Sequence, residues 1–266
     1  MKGYVHGYSE KETERLYAQA GTLSEYLHHD SIFPPGSRVL EPGCGTGAQT
    51  LILARNNPGV EIVAVDVSAE SLRRAAKVIG ENGIRNVTFL QADIFNLPFV
   101  PGEFDHLFIC FVLEHLSDPS NALLGLKRFI RPGGSVTVIE GDHGSYFSHP
   151  QSREACEAVR CLIDMQSRLG GDALIGRRLF PLLANAGFKN VSVSPRMIYV
   201  DSSRPDLVEG FTIKTFIAMV EGVKSQAVGA GLIEKAVWEK GVRDLYRAAE
   251  KDGTFCYTFF KAKALK

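Results

Sequence analysis

Apolar positions in residues 9–29 fall on one helical face, with Leu16, Ala20, Leu23 and Leu27 spaced by three or four. Ser9 and Glu12 stand in the S-x-x-E arrangement of a helix start. The tandem prolines Pro34 and Pro35 cannot continue a helix and end the segment. From residue 38 the period changes to short apolar runs separated by helical ones. RVLEPG reads as a strand, AQTLILARNN as a helix stopped before Pro58, and VEIVAVDVS as a buried strand. Ser68 can cap the helix AESLRRAAKVIGENG, with Leu72, Ala75, Ala76 and Ile79 inward and Gly83 as its stop. NVTFLQAD and FDHLFICFVL are the third and fourth strands, and a helix follows near residues 119–130. RPGG reads as a turn and SVTVIEGD as the fifth strand. Strands alternating with helices imply parallel βαβ units in a doubly wound α/β sheet.

Beyond residue 150 the rhythm loosens. REACEAVRCLIDMQSRLG and GRRLFPLLANAGF read as helices, and NVSVSPRMIYVD as a strand. Residues 205–250 are mostly helical with a break at VGAG, and GTFCYTFFKAKA closes the chain as an aromatic, β-prone strand. Seven strands result, with helical inserts after the fifth and sixth. The expected layout is one domain over 1–266. In it, 1–35 form a helical cover and 36–150 a ligand-binding core. Residues 151–176 and 203–252 are cap inserts, and 177–202 and 253–266 complete the core.

Composition narrows the partners. Of 266 residues, 30 are Lys or Arg and 30 are Asp or Glu, so no net field concentrates polyanions, and nucleic acid is not the expected partner. The five cysteines, Cys44, Cys110, Cys156, Cys161 and Cys256, show neither C-x-x-C nor zinc spacing. They read as reduced thiols of a cytoplasmic protein without a bound metal. The N-terminus lacks the apolar core of a secretory signal, and no run is long enough to span a membrane. Oligomeric state is undefined at this level.

The chemistry begins at RVLEPGCGTGAQT, residues 38–50, where Gly43, Gly45 and Gly47 join a strand to a helix. No Lys-Ser or Lys-Thr follows, so this is not a P-loop. A dinucleotide loop remains open, because its last small residue can be Ala48. Asp66 ends the second strand 19 positions after Gly47, where a carboxylate can accept from two ribose hydroxyls. Asp93, at the end of the third strand, can accept from an adenine amino group while Ile94 packs on the ring. Glu41, beside the loop, would repel a pyrophosphate and favour an ammonium or a sulfonium. Three acidic strand ends favour a cationic adenosine ligand over a nicotinamide dinucleotide.

At this point the chain resembles the class I S-adenosylmethionine-dependent methyltransferases, in their small-molecule branch. VLEPGCGTG, VAVDVS, VTFLQAD, FDHLFICFVLEHLSDP and LKRFIRPGGSVTVIE carry the resemblance, in order, over about residues 36–141. GYSEKETERLYAQ is similar to an N-terminal helix that covers the cofactor in that branch. The resemblance implies a Rossmann-like, doubly wound seven-stranded sheet, mostly parallel with the last strand antiparallel, capped by helical inserts. It implies S-adenosyl-L-methionine as cofactor. Gly43, Gly45 and Gly47 would approach its methionine part, and Glu41 would orient the loop or the amino group. Asp66 would hold the ribose, Val67 would pack on adenine, and Asp93 and Ile94 would hold the adenine. The carbonyl of Cys110 or Phe111 would face the ammonium, and Gln49 would reach the carboxylate. Tyr8, Arg15 and Gln19 are further candidates for closing over the ligand.

The acceptor would lie beyond the strand ends. LEHLSD supplies Glu114 and His115, and IEGDHGSYFSHP supplies Glu140, Asp142, His143, Tyr146 and His149. His115 suits a proton acceptor, with a structural role as the other reading. Asp142 and His143 are candidates for touching substrate. CFVL replaces the Asn/Asp-Pro-Pro-Tyr of base-amino methyltransferases, which favours a small organic acceptor methylated on N, O or C. A nicotinamide-dependent oxidoreductase and a non-catalytic binding protein are the alternative classes.

Overall fold

The computed structural model describes residues 10–266, with side chains from residue 15 onward. Tyr8 and the Ser9 of the expected capping box lie outside the described residues. In chain order the elements begin with α1 (Glu10–His28), β1 (Arg38–Pro42), α2 (Ala48–Asn56), β2 (Glu61–Asp66), α3 (Ala69–Glu81) and β3 (Val87–Gln91). They continue with β4 (Phe104–Cys110), a 3₁₀ turn (Leu113–His115), α4 (Pro119–Lys127), β5 (Ile130–His149), α5 (Arg153–Arg168), α6 (Leu179–Asn185) and β6 (Lys189–Val200). Then follow α7 (Pro205–Leu207), a π-helix (Val208–Ile217), α8 (Ala218–Gly222), α9 (Lys224–Gly229), α10 (Lys235–Arg247) and β7 (Thr254–Leu265).

The seven strands form one sheet in the order β3-β2-β1-β4-β5-β7-β6. β1 pairs in parallel with both β2 and β4, so the order reverses between β1 and β4. Ligands of doubly wound sheets bind at the carboxyl ends of strands beside such a reversal. β7 runs against β5: Gly134 meets Lys266 while Ser145 meets Thr258. The central strands are apolar on both sides because helices cover both faces. Val39, Leu40, Ile62, Ala64, Leu107, Phe108, Ile109, Val136 and Val138 are all buried.

Several local expectations are corrected. Ala76 is exposed, while Leu72, Ala75 and Ile79 carry the inward face of α3. β3 ends at Gln91, so Asp93 lies in the turn beyond it. RPGG falls inside the bounds of β5, yet it still makes an excursion: the pairing with β4 jumps from Phe104↔Ile130 to His106↔Ser135. β5 then runs on to His149, past its expected end at Asp142, so His143 and Tyr146 are strand residues rather than residues beyond the strand. The partner strand β7 is long enough to keep this extension paired.

The chain divides into two compact units. One comprises Ser24–Glu140, Ile175–Pro195 and Phe260–Lys266; the other comprises the residues up to Leu23, Gly141–Leu174 and Arg196–Phe259. The second holds α5, α10 and the π-helix, whose Phe211 and Phe216 are buried in an aromatic cluster with Phe255 and Tyr257.

Candidate functional site

The glycine loop is built as a left-handed path between β1 and α2. Gly43, Gly45 and Gly47 have φ of +74°, +54° and +83°, a region that costs glycine little. Space adds a second requirement. A Cβ at Gly43 would fall 2.7 Å from Val112 Cγ2, and one at Gly47 would fall 2.8 Å from the Ala75 Cβ of α3. The loop is pinned to β2, since the Gly43 and Cys44 N–H groups both donate to the Val65 carbonyl, at 2.7 and 3.0 Å.

Asp66 is the hinge of this arrangement. Its Oδ2 accepts the Gly45 N–H at 2.8 Å, and its Oδ1 accepts the Ser68 N–H at 2.8 Å. Ser68 in turn caps α3 by accepting from the Ser71 N–H at 3.2 Å. The carboxylate that was read as a ribose ligand therefore also ties the glycine loop to the start of α3. Each carboxylate oxygen can accept two hydrogen bonds, so this leaves capacity for a ligand hydroxyl.

Glu41 is fully buried at the tip of β1, and its Oε2 has no hydrogen-bond partner among the described residues. Burial pushes its pKa up to about 7. Cys110 is buried at the end of β4, and burial also holds its thiol well above the usual range, with Glu140 and Glu41 adding to the effect. Phe111, the next residue, is a non-glycine at φ +57° and donates its N–H to the Ile139 carbonyl at 2.9 Å. Such a conformation is costly and clusters at functional sites.

The rest of the adenine-side set is more open. Val67 is 42% exposed just after β2, Ile94 is half-buried after β3, and Asp93 is exposed. Asp93 Oδ1 accepts the Phe95 N–H at 3.0 Å, which shapes the turn. The Gln91 amide donates to the Val67 carbonyl at 3.0 Å and links the two strand ends.

Two expected roles differ in the structure. The Gln49 side-chain oxygen meets His28 Nε2 at 2.8 Å, so its amide is oriented by α1. His28 is buried, and burial holds its pKa down at about 4, with the Lys261 ammonium reinforcing this. Glu140 does not face an acceptor: its Oε1 accepts the Val112 and Leu113 N–H groups at 3.0 and 2.7 Å and closes the turn after β4. Burial, followed by the nearby Glu114, pushes its pKa well above the usual carboxylate range. Sequence reasoning missed His28 because nothing in an amphipathic helix marks one polar residue on its inner face as a partner for α2.

Among the acceptor-side candidates, His115 ends the 3₁₀ turn with Nε2 3.6 Å from Glu114 Oε1. Asp142 and His143 are adjacent in β5 and so face opposite sides of the sheet. Asp142 is buried and accepts the Gly144 N–H at 3.0 Å. His143 Nδ1 meets the Tyr257 hydroxyl at 2.8 Å beside Phe216. Tyr257 was not anticipated; its alternation signal in GTFCYTFF is that of any inward aromatic. On α1, Arg15 Nη1 donates to Gln19 Oε1 at 2.9 Å, a bond one helical turn long. Among the described residues, no group of three or more His, Cys, Asp or Glu side chains could hold a metal ion.

Demethylmenaquinone methyltransferase of Thermus thermophilus is 37% identical over 103 residues, which are 39% of this chain and 46% of that protein. The chain spans about a third to a half of the length of the curated relatives it matches. Among solved structures, the [4+2]-cyclase SpnF aligns with a TM-score of 0.55 at 22% identity, covering 94% of this chain and 81% of its own. Phosphoethanolamine N-methyltransferase 2 of Haemonchus contortus, in complex with S-adenosyl-L-methionine, aligns at 0.55 and 15% identity, covering 93% and 52%. At these identities the structures show a shared fold. Residues 34–190 match the methyltransferase-domain family, and the chain belongs to it.

Proposed function

We propose that this protein is an S-adenosyl-L-methionine-dependent methyltransferase that acts on a small organic acceptor in the cytoplasm. The observation that carries the reading is the acidic crevice at the β1/β4 reversal. Asp66 is bonded to the Gly45 N–H, and a buried Glu41 with an unpartnered oxygen stands beside the same loop. Such a site disfavours the pyrophosphate of a nicotinamide dinucleotide and favours a cationic nucleoside.

In this reading Gly43, Gly45 and Gly47 bring the backbone against the methionine part, and Asp66 accepts from the ribose. Val67, Asp93 and Ile94 line the adenine. The carbonyl of Cys110 or Phe111 faces the ammonium, and Gln49, held by His28, meets the carboxylate. When bound, the donor would supply a sulfonium methyl to an electron pair on N, O or C of the acceptor, with the S–CH3 bond breaking in line and S-adenosylhomocysteine leaving as a neutral thioether. The protein's main contribution is alignment and exclusion of water; positioning can supply on the order of 7–11 kcal/mol. His115, Asp142 and His143 are the acceptor-side candidates, with Tyr257 fixing the ring of His143. The acceptor class is supported by CFVL at the end of β4 and by relatives named for small-molecule substrates. The cytoplasmic reading is supported by five free cysteines; among the described residues, no helix is long and apolar enough to cross a membrane.

Calorimetry with S-adenosylhomocysteine, S-adenosylmethionine and NAD tests the donor. Binding of the first two, lost or at least tenfold weaker in Asp66→Ala, is expected. Binding of NAD alone would overturn the proposal. Transfer of labelled methyl groups to a metabolite panel identifies the acceptor.

A further inference from the structure

Glu41 is fully enclosed at the tip of β1, and its Oε2 has no hydrogen-bond partner among the described residues. An ionised carboxylate there would be favoured by the Thr50 hydroxyl, but burial outweighs this and pushes the group toward its neutral acid. The titratable groups around it come from every neighbouring element. Glu41 acts on Cys44 in the glycine loop, which Asp66 after β2 also reaches, and on Cys110 of β4, which Glu140 on β5, Lys261 on β7 and Glu114 in the 3₁₀ turn also reach; His28 on α1 stands behind Gln49. Burial holds Glu140 and the two thiols toward their neutral forms. His28 is neutral above about pH 4. Lys261, the buried cation, binds the Leu27 carbonyl at 2.9 Å, Asp30 at 2.6 Å and Ser31 at 2.7 Å. None of these compensates a charge on Glu41, whereas a cationic ligand would.

We propose that Glu41 anchors the positively charged part of the methyl donor by exchanging a proton for it. The side chain is a neutral acid in the empty protein and becomes a carboxylate as the donor enters, so that loading the site releases one proton to solvent. This rests on the donor reading given above. The donor has two cationic centres, a sulfonium and an ammonium. S-adenosylhomocysteine keeps only the ammonium, and 5′-methylthioadenosine has neither. The three ligands therefore separate the contributions.

The test is isothermal calorimetry at pH 6 in buffers of different ionisation enthalpy, which counts protons released on binding. At this pH the donor's own amino group, with an ordinary pKa of about 7.7–8.0, is already charged. The unmodified protein is expected to release close to one proton per S-adenosylmethionine, and 5′-methylthioadenosine to release none. Release with S-adenosylhomocysteine assigns the partner as the ammonium; its absence assigns the sulfonium. Donor affinity should fall by up to about tenfold per pH unit below about 7, to which burial pushes the Glu41 pKa. Glu41→Gln should abolish the release and flatten this dependence, while Glu140→Gln keeps both. Equal release in Glu41→Gln and the unmodified protein would overturn the proposal, as would loss of release in Glu140→Gln alone. Should Glu41→Gln bind nothing, the unmodified protein decides: S-adenosylmethionine releasing no more protons than 5′-methylthioadenosine overturns the proposal. Failure of the unmodified protein to bind S-adenosylmethionine at any pH is a different result and removes the donor reading itself.

Discussion

The Glu140 carboxylate on β5 accepts the Leu113 N–H at 2.7 Å, so a buried acid from one strand closes the turn that leaves its neighbour. The Val112 N–H donates to the same oxygen. Removing the acceptor in Glu140→Ala leaves two N–H groups unpaired in a buried site, at a cost of about 2–4 kcal/mol. Urea denaturation should show this loss. Glu140→Gln retains an oxygen acceptor and is expected to lose less at pH 6. Because the folded pKa of Glu140 is raised, its contribution is complete below the ordinary carboxylate range and declines as pH rises. The deficit of Glu140→Gln should therefore shrink on going to pH 8.

His28 titrates in the opposite sense. Its pKa is lowered from 6.5 to about 4 in the folded protein, so its contribution is present above pH 6.5 and is lost as pH falls toward 4. The span corresponds to about 3 kcal/mol. His28→Phe keeps an aromatic beside Phe108, whose ring centroid lies 5.9 Å away, but gives up the bond to Gln49. At pH 7 the variant should be less stable by about 1–2 kcal/mol. By pH 4 the difference should vanish or reverse in thermal melts across the pH range.

The glycine loop separates space from backbone strain. Gly45→Ala meets no atom within 4 Å, yet it must adopt φ +54°. A loss of about 1 kcal/mol in stability is expected, from the αL penalty. Gly47→Ala faces the same penalty and the Ala75 Cβ at 2.8 Å, so it should lose clearly more. Both should weaken S-adenosylhomocysteine binding. Denaturation and titration of the two variants side by side check the order.

How far the sequence reads depends on whether each signal is local. The strands and their order of appearance were legible because apolar runs and turn residues set them within a few positions. RVLEPGCGTG marks its own strand, loop and helix start, and Ser68 caps α3 as its position suggests. Asp66 was visible as a strand-end acid, but its bond to the Gly45 N–H was not, because that bond depends on the parallel register of β1 and β2. His143 and Tyr146 looked like loop residues because β5 could not be seen to continue past Asp142. Its continuation requires β7, more than a hundred residues later. His28 with Gln49 and Lys261 with Asp30 join parts of the chain that no periodicity relates.

Lys261 offers the most direct test of that long-range wiring. It sits 1% exposed on β7, and its ammonium donates to the Leu27 carbonyl, Asp30 Oδ1 and Ser31 Oγ. The Leu27 carbonyl belongs to the last turn of α1, where backbone acceptors lack helical partners and the helix dipole favours a cation. Lys261→Met keeps most of the aliphatic stem but removes the buried cation from the helix end and leaves Asp30 with the Lys263 ammonium, 3.1 Å from its Oδ2. Removing one member of a buried ion pair costs about 3–5 kcal/mol, although Asp30 is partly open to solvent, which lowers the expectation to about 2–3 kcal/mol. Hydrogen exchange should localise the effect to the amides of residues 24–31, with those of α3 unchanged. Equal protection of residues 24–31 in the variant and the unmodified protein would show that packing alone holds the end of α1.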